Sequence, residues 1–319
     1  MVNIVFFGTP NFGVPALNRL GSTGTNISAV VTQPDRPKGR GHRVGFSPVK
    51  RFALANDIPV LQPSSAKEPN FIAQLATYSP DLGVVVAYGQ FLPDSVLNTP
   101  RLGTINVHAS LLPKYRGAAP IHRAVIAGER ETGITVIRLV KEMDAGPMLS
   151  RAVRPIGTDE SSEEIENDLA DIGAELLVSV VANMSSGRCA EVLQDDSLAT
   201  MAPRLTRQDG CIDWTRSAVA VHNLVRGLHP WPHAFTYLHG ERHVILRTFV
   251  DIHNSMPQHQ PGTICVAHGD QLLVACGSQT TIGIKELQTA GRSPLPTRAF
   301  LSGRPIAPLS VFRAHPESS

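Results

Sequence analysis

Short, continuous apolar segments separated by helix-like segments run through the first half of this sequence, and they restrict its fold more than any other feature. The apolar segments lie at residues 3–7, 27–32, 82–87, 104–107 and 134–139. Strands that are apolar on both faces are typical of a parallel sheet covered by helices on both sides. The pattern therefore predicts an α/β fold, a Rossmann-like, doubly wound and mainly parallel sheet domain.

The pattern changes after a helix-like segment at residues 162–184. A polar stretch with weak periodicity follows, and then a short helix at residues 221–227. Beyond it, short alternating segments punctuated by Gly and Pro predict strands at residues 234–238, 243–250, 263–267, 271–275 and 281–287. Such a run predicts a small OB-like β-barrel. We therefore expect a catalytic domain at 1–188, a linker at 189–206 and a barrel domain at 207–319.

Composition narrows the class of protein. The formal net charge of +2 does not by itself indicate a nucleic-acid partner, so any basic surface must be local. The four cysteines form no CxxC pair, which predicts free thiols and no metal site. The N-terminus lacks the pattern of a signal peptide, and no apolar run reaches the roughly 18 residues of a membrane span. A cytoplasmic protein is expected; the pattern specifies no oligomeric state and is compatible with a monomer.

Polar residues follow several of the predicted strands, where ligands bind in open α/β sheets. Asn106 and His108 are two residues apart, so on a strand they share a face. An amide and an imidazole side by side suit the stabilisation of an oxyanion, and Asp144 could orient the imidazole. An isolated Asn-x-His pair is a weak signal, however, and Asp144 before Ala-Gly equally fits a turn. Spacing alone leaves both interpretations open.

Longer motifs around these residues resemble a known family. The segment INVHASLLPKYRGAAPI at residues 105–121 is similar to a characteristic motif of the folate-dependent formyltransferases. A second segment, ETGITVIRLVKEMDAGPML at residues 131–149, resembles another motif of that family. The resemblance implies that Asn106, His108 and Asp144 are the catalytic residues and that 10-formyltetrahydrofolate is the formyl donor.

The resemblance also implies a folate site. One part is the segment that follows His108, made of Ser110, Leu111, Leu112 and Pro113. The other part would line the pterin pocket, largely through backbone groups, and is made of Tyr88, Gly89, Gln90, Phe91 and Leu92. Phe12 could contact the side chain of the acceptor, although its position equally fits the buried face of a helix.

Further motifs resemble the members of that family whose acceptor is the initiator methionyl-tRNA. They include FFGTPNF at residues 6–12, TQPDRPKGRG at 32–41, VVVAYGQFLP at 84–93 and LTRQDGCIDW at 205–214. The implied reaction is attack by the free α-amine of the methionyl group on the formyl carbon. The similarity extends through both predicted domains.

A basic segment at residues 33–48 is the main candidate for contact with tRNA. It carries Arg36, Lys38, Arg40 and Arg43 among several Pro and Gly residues. Basic side chains on such a loop suit phosphate contacts, and the resemblance favours binding of the tRNA acceptor stem, with Arg40 as the best single residue. A solvated basic loop is the alternative. In the barrel, Arg226, His229 and Trp231 are candidates by chemistry alone.

Three other functions remain as alternatives. A formyltransferase acting on an amino sugar nucleotide would share the catalytic residues and the Ser110–Pro113 motif without needing the basic segment. The hydrolase-like domain of a formyltetrahydrofolate dehydrogenase would normally be followed by a large dehydrogenase domain. A non-catalytic RNA-binding protein would not need Asn106, His108 and Asp144 together.

Overall fold

The computed structural model describes residues 2–38, 43–251 and 259–316, and the chain divides into two compact units. The first unit contains Met1–Pro120, Glu131–Pro155 and Glu166–Ala202. The second contains Ile121–Arg130, Ile156–Ile165 and Pro203–Ser319. Each unit therefore draws on more than one stretch of the chain.

The first unit is built on strands and helices that alternate along the chain. Its strands are β1 (Asn3–Gly8), β2 (Asn26–Val31), β3 (Arg36–Lys38), β4 (Arg43–Gly45), β5 (Val60–Leu61), β6 (Leu82–Val86), β7 (Thr104–His108), β8 (Arg116–Gly117), β9 (Glu131–Arg138), β10 (Met148–Pro155) and β11 (Met201–Ala202). Helices α1 (Val14–Ser22), α2 (Pro48–Ala55), α3 (Pro69–Thr77), α4 (Asp94–Leu97), α5 (Pro120–Ala127) and α6 (Ser162–Ser185) complete the N-terminal two-thirds of the chain.

A seven-stranded sheet with the order β10-β9-β7-β6-β1-β2-β5 forms the centre of this unit. Strands β5, β2, β1, β6 and β7 are parallel, and their order reverses between β1 and β6. Ligands bind in such sheets where the order reverses, beyond the carboxyl ends of the strands. The predicted doubly wound α/β domain is confirmed.

Apolar side chains on the strands account for the helical layers on the sheet. On one face, Phe7 and Val31 belong to a buried cluster that also contains Phe71 and Leu75 of α3. Elsewhere α6 approaches β7 so closely that a Cβ on Gly173 would lie 3.0 Å from Cγ1 of Val107. A side chain at position 173 would therefore push the helix from the sheet.

The edge of the sheet formed by β9 and β10 differs from the prediction in the direction of its strands and in their number. Strand β9 runs antiparallel to β7, and β10, which was not predicted, pairs antiparallel with β9. A continuous apolar pattern favours a parallel strand, but otherwise parallel sheets commonly carry antiparallel strands at one edge. The basic segment also departs from a simple loop, because β3 and β4 pair as an antiparallel ribbon.

The segment after α6 was predicted only as a linker, yet part of it is built into the first unit. Strand β11 pairs parallel with β8, and Val192 exchanges backbone hydrogen bonds of 2.8 and 2.9 Å with Met148. Thr200 O accepts a further bond of 2.9 Å from the Arg116 N–H. We call residues 189–202 the brace segment.

The second unit contains a closed antiparallel barrel. Its elements are α7 (Ala218–Gly227), β12 (Ala234–Leu238), β13 (Glu241–Asp251), β14 (Ile264–His268), β15 (Gln271–Cys276), β16 (Thr280–Thr289), β17 (Leu295–Pro296) and α8 (Thr297–Gly303). The sheet has the order β12-β13-β16-β15-β14. Bridges from Arg313 to Tyr237 and from Val311 to Thr263 join the C-terminal segment to β12 and to the chain just before β14. The barrel predicted from the sequence is thereby confirmed.

Candidate functional site

Strand β7 presents Asn106 and His108, which share a face because they are two residues apart on a strand. His108 is 5% exposed, whereas Asn106 is half-buried. Within the described part of the chain, the side-chain amide of Asn106 has no hydrogen-bond partner. Its donors are therefore available to a ligand on this face.

The imidazole of His108 faces an oxygen atom with each ring nitrogen. Nε2 lies 2.9 Å from the carbonyl oxygen of Tyr115, and Nδ1 lies 3.6 Å from Oδ2 of Asp144. Both neighbouring oxygen atoms are hydrogen-bond acceptors, so either ring nitrogen is directed at an acceptor. The 3.6 Å separation exceeds a hydrogen bond, so the Nδ1 edge can exchange a proton with a ligand.

Asp144 reaches His108 from the loop between β9 and β10. We predicted this loop at the same sheet edge as the carboxyl end of β7, which was wrong because β9 runs in the opposite direction. The carboxylate is held instead by the backbone N–H of Gly117, which donates to Oδ2 at 2.8 Å. Asp144 itself has a left-handed backbone with φ of 50°, which is uncommon for a residue other than glycine.

The segment from Ser110 to Pro113 is fixed by hydrogen bonds of its own. The buried Ser110 hydroxyl donates to the carbonyl of Lys114 at 2.6 Å. The Thr135 hydroxyl donates to the Ser110 carbonyl at 2.7 Å and accepts from the Leu112 N–H at 3.1 Å. Leu112 is buried, whereas Leu111 and Pro113 are partly exposed. Rigid backbone next to His108 follows from these contacts.

A second loop, from Tyr88 to Leu92, follows β6 at the point where the strand order reverses. The Tyr88 carbonyl accepts from the Thr9 hydroxyl at 2.9 Å and from Nε2 of Gln33 at 3.3 Å. Gly89 has a φ of 89°, which turns the backbone sharply. Over the described residues, the N–H groups from Gly89 to Leu92 donate no hydrogen bond. Unpaired backbone donors of this kind are available to the polar edge of a ligand.

The side chains of this loop divide between core and surface. Tyr88 packs edge to face on Phe7, and burial raises the pKa of its phenol to about 12. Gln90 accepts from the Ala66 N–H at 2.8 Å, Leu92 is buried, and Phe91 is 55% exposed. Phe12 is buried with 7% exposure. The Tyr88 ring is therefore part of the core, whereas the Phe91 ring lies at the surface.

The basic segment is described in part. Arg36 is exposed at the start of β3. Arg40 lies outside the described residues, as do the side chains of Lys38 and Arg43. In the register of the ribbon, Lys38 pairs with Arg43 and Arg36 with Gly45.

A polar cluster joins the two ends of the basic segment. The Lys50 ammonium, at the start of α2, forms a short ion pair with Asp35 and donates to Oε1 of Gln62 at 2.6 Å. Gln62 in turn donates to Oδ1 of Asp35 at 3.1 Å. These contacts hold the pKa of Asp35 below its usual value, chiefly through the hydrogen bond from Lys50.

Gln194 of the brace segment lies beside the site together with Arg116 of β8, and the sequence analysis identified neither residue. Arg116, which is 8% exposed, donates to Oε1 of Gln194 at 3.1 and 2.7 Å. Gln194 donates to the carbonyls of Asp144 and Gly146. A buried arginine needs hydrogen-bond acceptors, so an arginine within the motif at residues 105–121 was the one available signal. The sequence does not reveal which residues supply those acceptors.

In the second unit, the candidates by chemistry have different surroundings. Arg226 is buried, and its guanidinium donates to the carbonyls of Gly157 and Glu160 and to Asn223. It is therefore a structural residue rather than an RNA contact, which corrects our expectation. His229 lies 3.2 Å from Oε2 of Glu163, and Trp231 is exposed.

Metal-ligand clusters and membrane-spanning helices are both absent from the described residues. No group of three or more His, Cys, Asp or Glu side chains there could hold a metal ion. Across the described ranges, no helix has the length and apolar character needed to span a bilayer.

Comparison with sequence families and curated proteins gives matches over nearly the whole chain. Residues 2–181 match the formyl transferase family, and residues 204–305 match the formyl transferase C-terminal domain. A methionyl-tRNA formyltransferase from Geobacter sulfurreducens is 44% identical over 96% of this chain and 95% of its own. Another from Pelobacter propionicus is 46% identical over 96% of this chain and 94% of its own.

Solved structures share the fold at low sequence identity. The sugar 3N-formyl transferase WlaRD has a TM-score of 0.68 at 14% identity, over 92% of this chain and 99% of WlaRD. HypX from Aquifex aeolicus, in complex with tetrahydrofolic acid, has a TM-score of 0.63 at 16% identity. That alignment covers 94% of this chain but only 47% of HypX.

Proposed function

The chain belongs to the formyl transferase family, and from this premise we propose that it transfers the formyl group of 10-formyltetrahydrofolate to the α-amine of initiator methionyl-tRNA. The observation that carries the choice of acceptor is the likeness to methionyl-tRNA formyltransferases, at 44% identity over 96% of this chain. Relatives of that kind match both units of the chain rather than the sheet domain alone. The product is formylmethionyl-tRNA, and the reaction belongs to the cytoplasm, where translation starts.

The side chains of Asn106 and His108 on β7 support direct transfer of the formyl group to an amine. 10-Formyltetrahydrofolate supplies an activated formyl carbon, so no Ser or Cys nucleophile of the protein is required. Asn106 donates its free amide N–H to the formyl oxygen, which becomes negative as the amine adds. His108 adds a second hydrogen-bond donor for that oxygen from its Nδ1 edge, which lies 3.6 Å from Asp144.

Asp144 completes the proton balance in this proposal. Its carboxylate, 3.6 Å from Nδ1 of His108, helps to remove the proton that the amine loses as the new C–N bond forms. A proton reaches N10 of the folate as the old C–N bond breaks, and tetrahydrofolate leaves. The N–H of Gly117 keeps the carboxylate in place at 2.8 Å throughout.

The two loops beside these residues hold the folate. The unpaired N–H groups between Gly89 and Leu92 bind the polar edge of the pterin, while Leu111 and Pro113 contact the ring system. The ring of Phe12, which is 7% exposed, lines the methionyl pocket at its edge. We propose that the catalytic domain, predicted at residues 1–188, extends through the brace segment to residue 202, that the linker shortens from 189–206 to 203–206, and that the barrel domain occupies 207–319.

The ribbon of β3 and β4 carries the contacts to tRNA. Arg36, Lys38, Arg40 and Arg43 lie on or between its strands, and we assign them to phosphates of the acceptor stem. Such contacts position the RNA without reading its bases, so their loss should raise KM for tRNA more than it lowers kcat.

The test is a two-acceptor assay. The purified protein is incubated with 10-formyltetrahydrofolate and either methionyl-initiator tRNA or an amino sugar nucleotide, and formylated product is measured. We expect product only with methionyl-tRNA, and none when its α-amine is blocked by acetylation beforehand. Transfer to the sugar alone would overturn the tRNA assignment while leaving the formyl donor intact.

A further inference from the structure

We propose that Gln194, in the brace segment, is a positioning residue that holds Asp144 in its working geometry. This inference rests on the proposed function, because it gives Asp144 a part in proton movement. The side-chain amide of Gln194 donates to the carbonyl of Asp144 at 2.7 Å and to that of Gly146 at 2.8 Å. Both ends of the Asp144–Gly146 turn are therefore attached to one side chain, which comes from a distant part of the chain.

Arg116 determines the orientation of the Gln194 side-chain amide, that is, which positions its oxygen and its NH₂ group occupy. A guanidinium can only donate, so the atom facing its Nε and Nη2 at 3.1 and 2.7 Å must be the amide oxygen. The NH₂ group is then directed to the two carbonyls. Oδ1 of Asp196 accepts from Arg116 at 2.7 Å and keeps the guanidinium in place. The chain of contacts runs from Asp196 through Arg116 and Gln194 to the backbone of Asp144.

The backbone of Asp144 needs such support. Its φ of 50° lies in the left-handed region, which non-glycine residues occupy only when their surroundings hold them there. Without the two bonds from Gln194, the turn can relax towards an extended conformation. Oδ2 would then leave the N–H of Gly117, now 2.8 Å away, and move from Nδ1 of His108.

Gln194→Glu separates positioning from packing. The variant keeps the size of the side chain and an acceptor for Arg116, but it has no N–H to donate to the two carbonyls. Displacement of a catalytic group by about 1 Å costs up to about a hundredfold in rate. We expect the single-turnover rate to fall about ten- to a hundredfold, with KM for folate and for tRNA changed less than about twofold. Gln74→Glu, at an exposed position of α3, is the matched control and should retain the rate.

A double-mutant cycle with Asp144 supplies the readout that a merely structural role would not change. If Gln194 acts through Asp144, then Asp144→Ala with Gln194→Glu should be no slower than Asp144→Ala alone. A full additional loss in the double variant would overturn the proposal. So would a Gln194→Glu enzyme as fast as the wild type.

A second measurement does not depend on turnover. Because the Gly117 N–H is bonded to Asp144, its hydrogen exchange, followed by NMR in the free protein, should accelerate in Gln194→Glu. Gln194→Leu, which removes the donors without adding charge, should act in the same direction and serves if the first variant does not fold. Unchanged exchange at Gly117 would overturn the inference. A wild type that formylates no acceptor would instead refute the proposed function, and the exchange measurement would still test Gln194.

Discussion

The unpartnered amide of Asn106 is the residue-scale feature on which the proposed chemistry depends most directly. A polar group that is half-buried and unbonded in the free protein costs no reorganisation when a ligand oxygen arrives. It lies on the same strand face as His108, which is itself held between Tyr115 and Asp144. The amide and the imidazole are therefore presented on one face of β7 before substrate binds.

Replacing Asn106 by alanine tests this directly. We expect Asn106→Ala to lower the single-turnover rate at saturating substrates by about a hundred- to a thousandfold, as for the loss of an oxyanion donor. Asn98→Ala, at an exposed position after α4, should keep the wild-type rate. Retention of that rate by Asn106→Ala would remove the residue from the chemistry.

At the scale of elements, the pairing of β8 with β11 supports the site through Gly117. Its φ is 121°, and a Cβ there would lie 2.8 Å from the carbonyl oxygen of Ala202. Only glycine can therefore bring β8 this close to β11 while its N–H reaches Asp144.

Gly117→Ala should separate these two strands and withdraw the N–H from Asp144. We expect kcat to fall at least about tenfold, because the carboxylate loses its anchor. Gly21→Ala, in α1 with its nearest neighbour 4.0 Å from the added Cβ, is the control and should leave kcat unchanged. Equal rates for the two variants would show that the anchor is dispensable.

The ion pair of Lys50 with Asp35 joins the ends of the basic segment, so it belongs to the same scale. Lys50→Met should loosen the ribbon of β3 and β4 and raise KM for methionyl-tRNA about three- to tenfold, with kcat nearly unchanged. The matched variant is Lys67→Met, whose side chain is exposed. If both variants have the KM of the wild type, the cluster has no part in presenting the basic segment.

The same pair predicts a dependence of stability on pH. The pKa of Asp35 is lowered from 3.8 in the folded protein, mainly by the hydrogen bond from Lys50. The ionised carboxylate therefore stabilises the folded state at neutral pH, and this contribution is lost as pH falls below about 3.8 through the folded-state pKa. The difference in free energy of unfolding between wild type and Lys50→Met, from urea titrations, should be larger at pH 7 than at pH 3. A constant difference would contradict the assignment.

How far the sequence predicted these elements depended on the range of the interactions. The parallel strands, and the shared face of Asn106 and His108, followed from local periodicity. Strand β10 was not predicted because its residues are half or fully exposed at the sheet edge, which leaves little apolar pattern in the sequence. The bonds of Gln194 to Asp144 and Arg116 join residues that are 50 and 78 positions apart, and no local pattern encodes them.

For the molecule as a whole, closure of the barrel depends on a few residues near the C-terminus. Phe312 is buried and stacks on Trp214 with ring centres 5.6 Å apart, and its N–H donates to the Gly262 carbonyl at 2.8 Å. The indole of Trp214 is in turn bonded to Thr236 at 3.0 Å. Residues from near both ends of the Pro203–Ser319 stretch thus meet at one seam.

Phe312→Ala should open this seam and destabilise the barrel by about 3–5 kcal/mol, the usual cost of removing a buried aromatic ring. Tryptophan fluorescence during urea unfolding reports the change, because Trp214 loses its stacking partner. Val219→Ala, at an exposed position of α7, is the control. An unfolding midpoint equal to that of the wild type would show that the ring adds nothing to closure.

The brace segment also has a consequence for the order in which the protein is made. Domains of a growing chain begin to fold before synthesis ends, at about 5–20 residues per second. Asn106, His108 and Asp144 leave the ribosome well before Gln194, Thr200 and the β11 partner of Gly117. A nascent chain that ends within α6 thus holds every proposed catalytic residue but lacks the contacts that the brace segment makes to the Asp144 backbone and to β8. Full formyl-transfer activity would then appear only after residue 202 has left the ribosome, while the barrel domain is being synthesised.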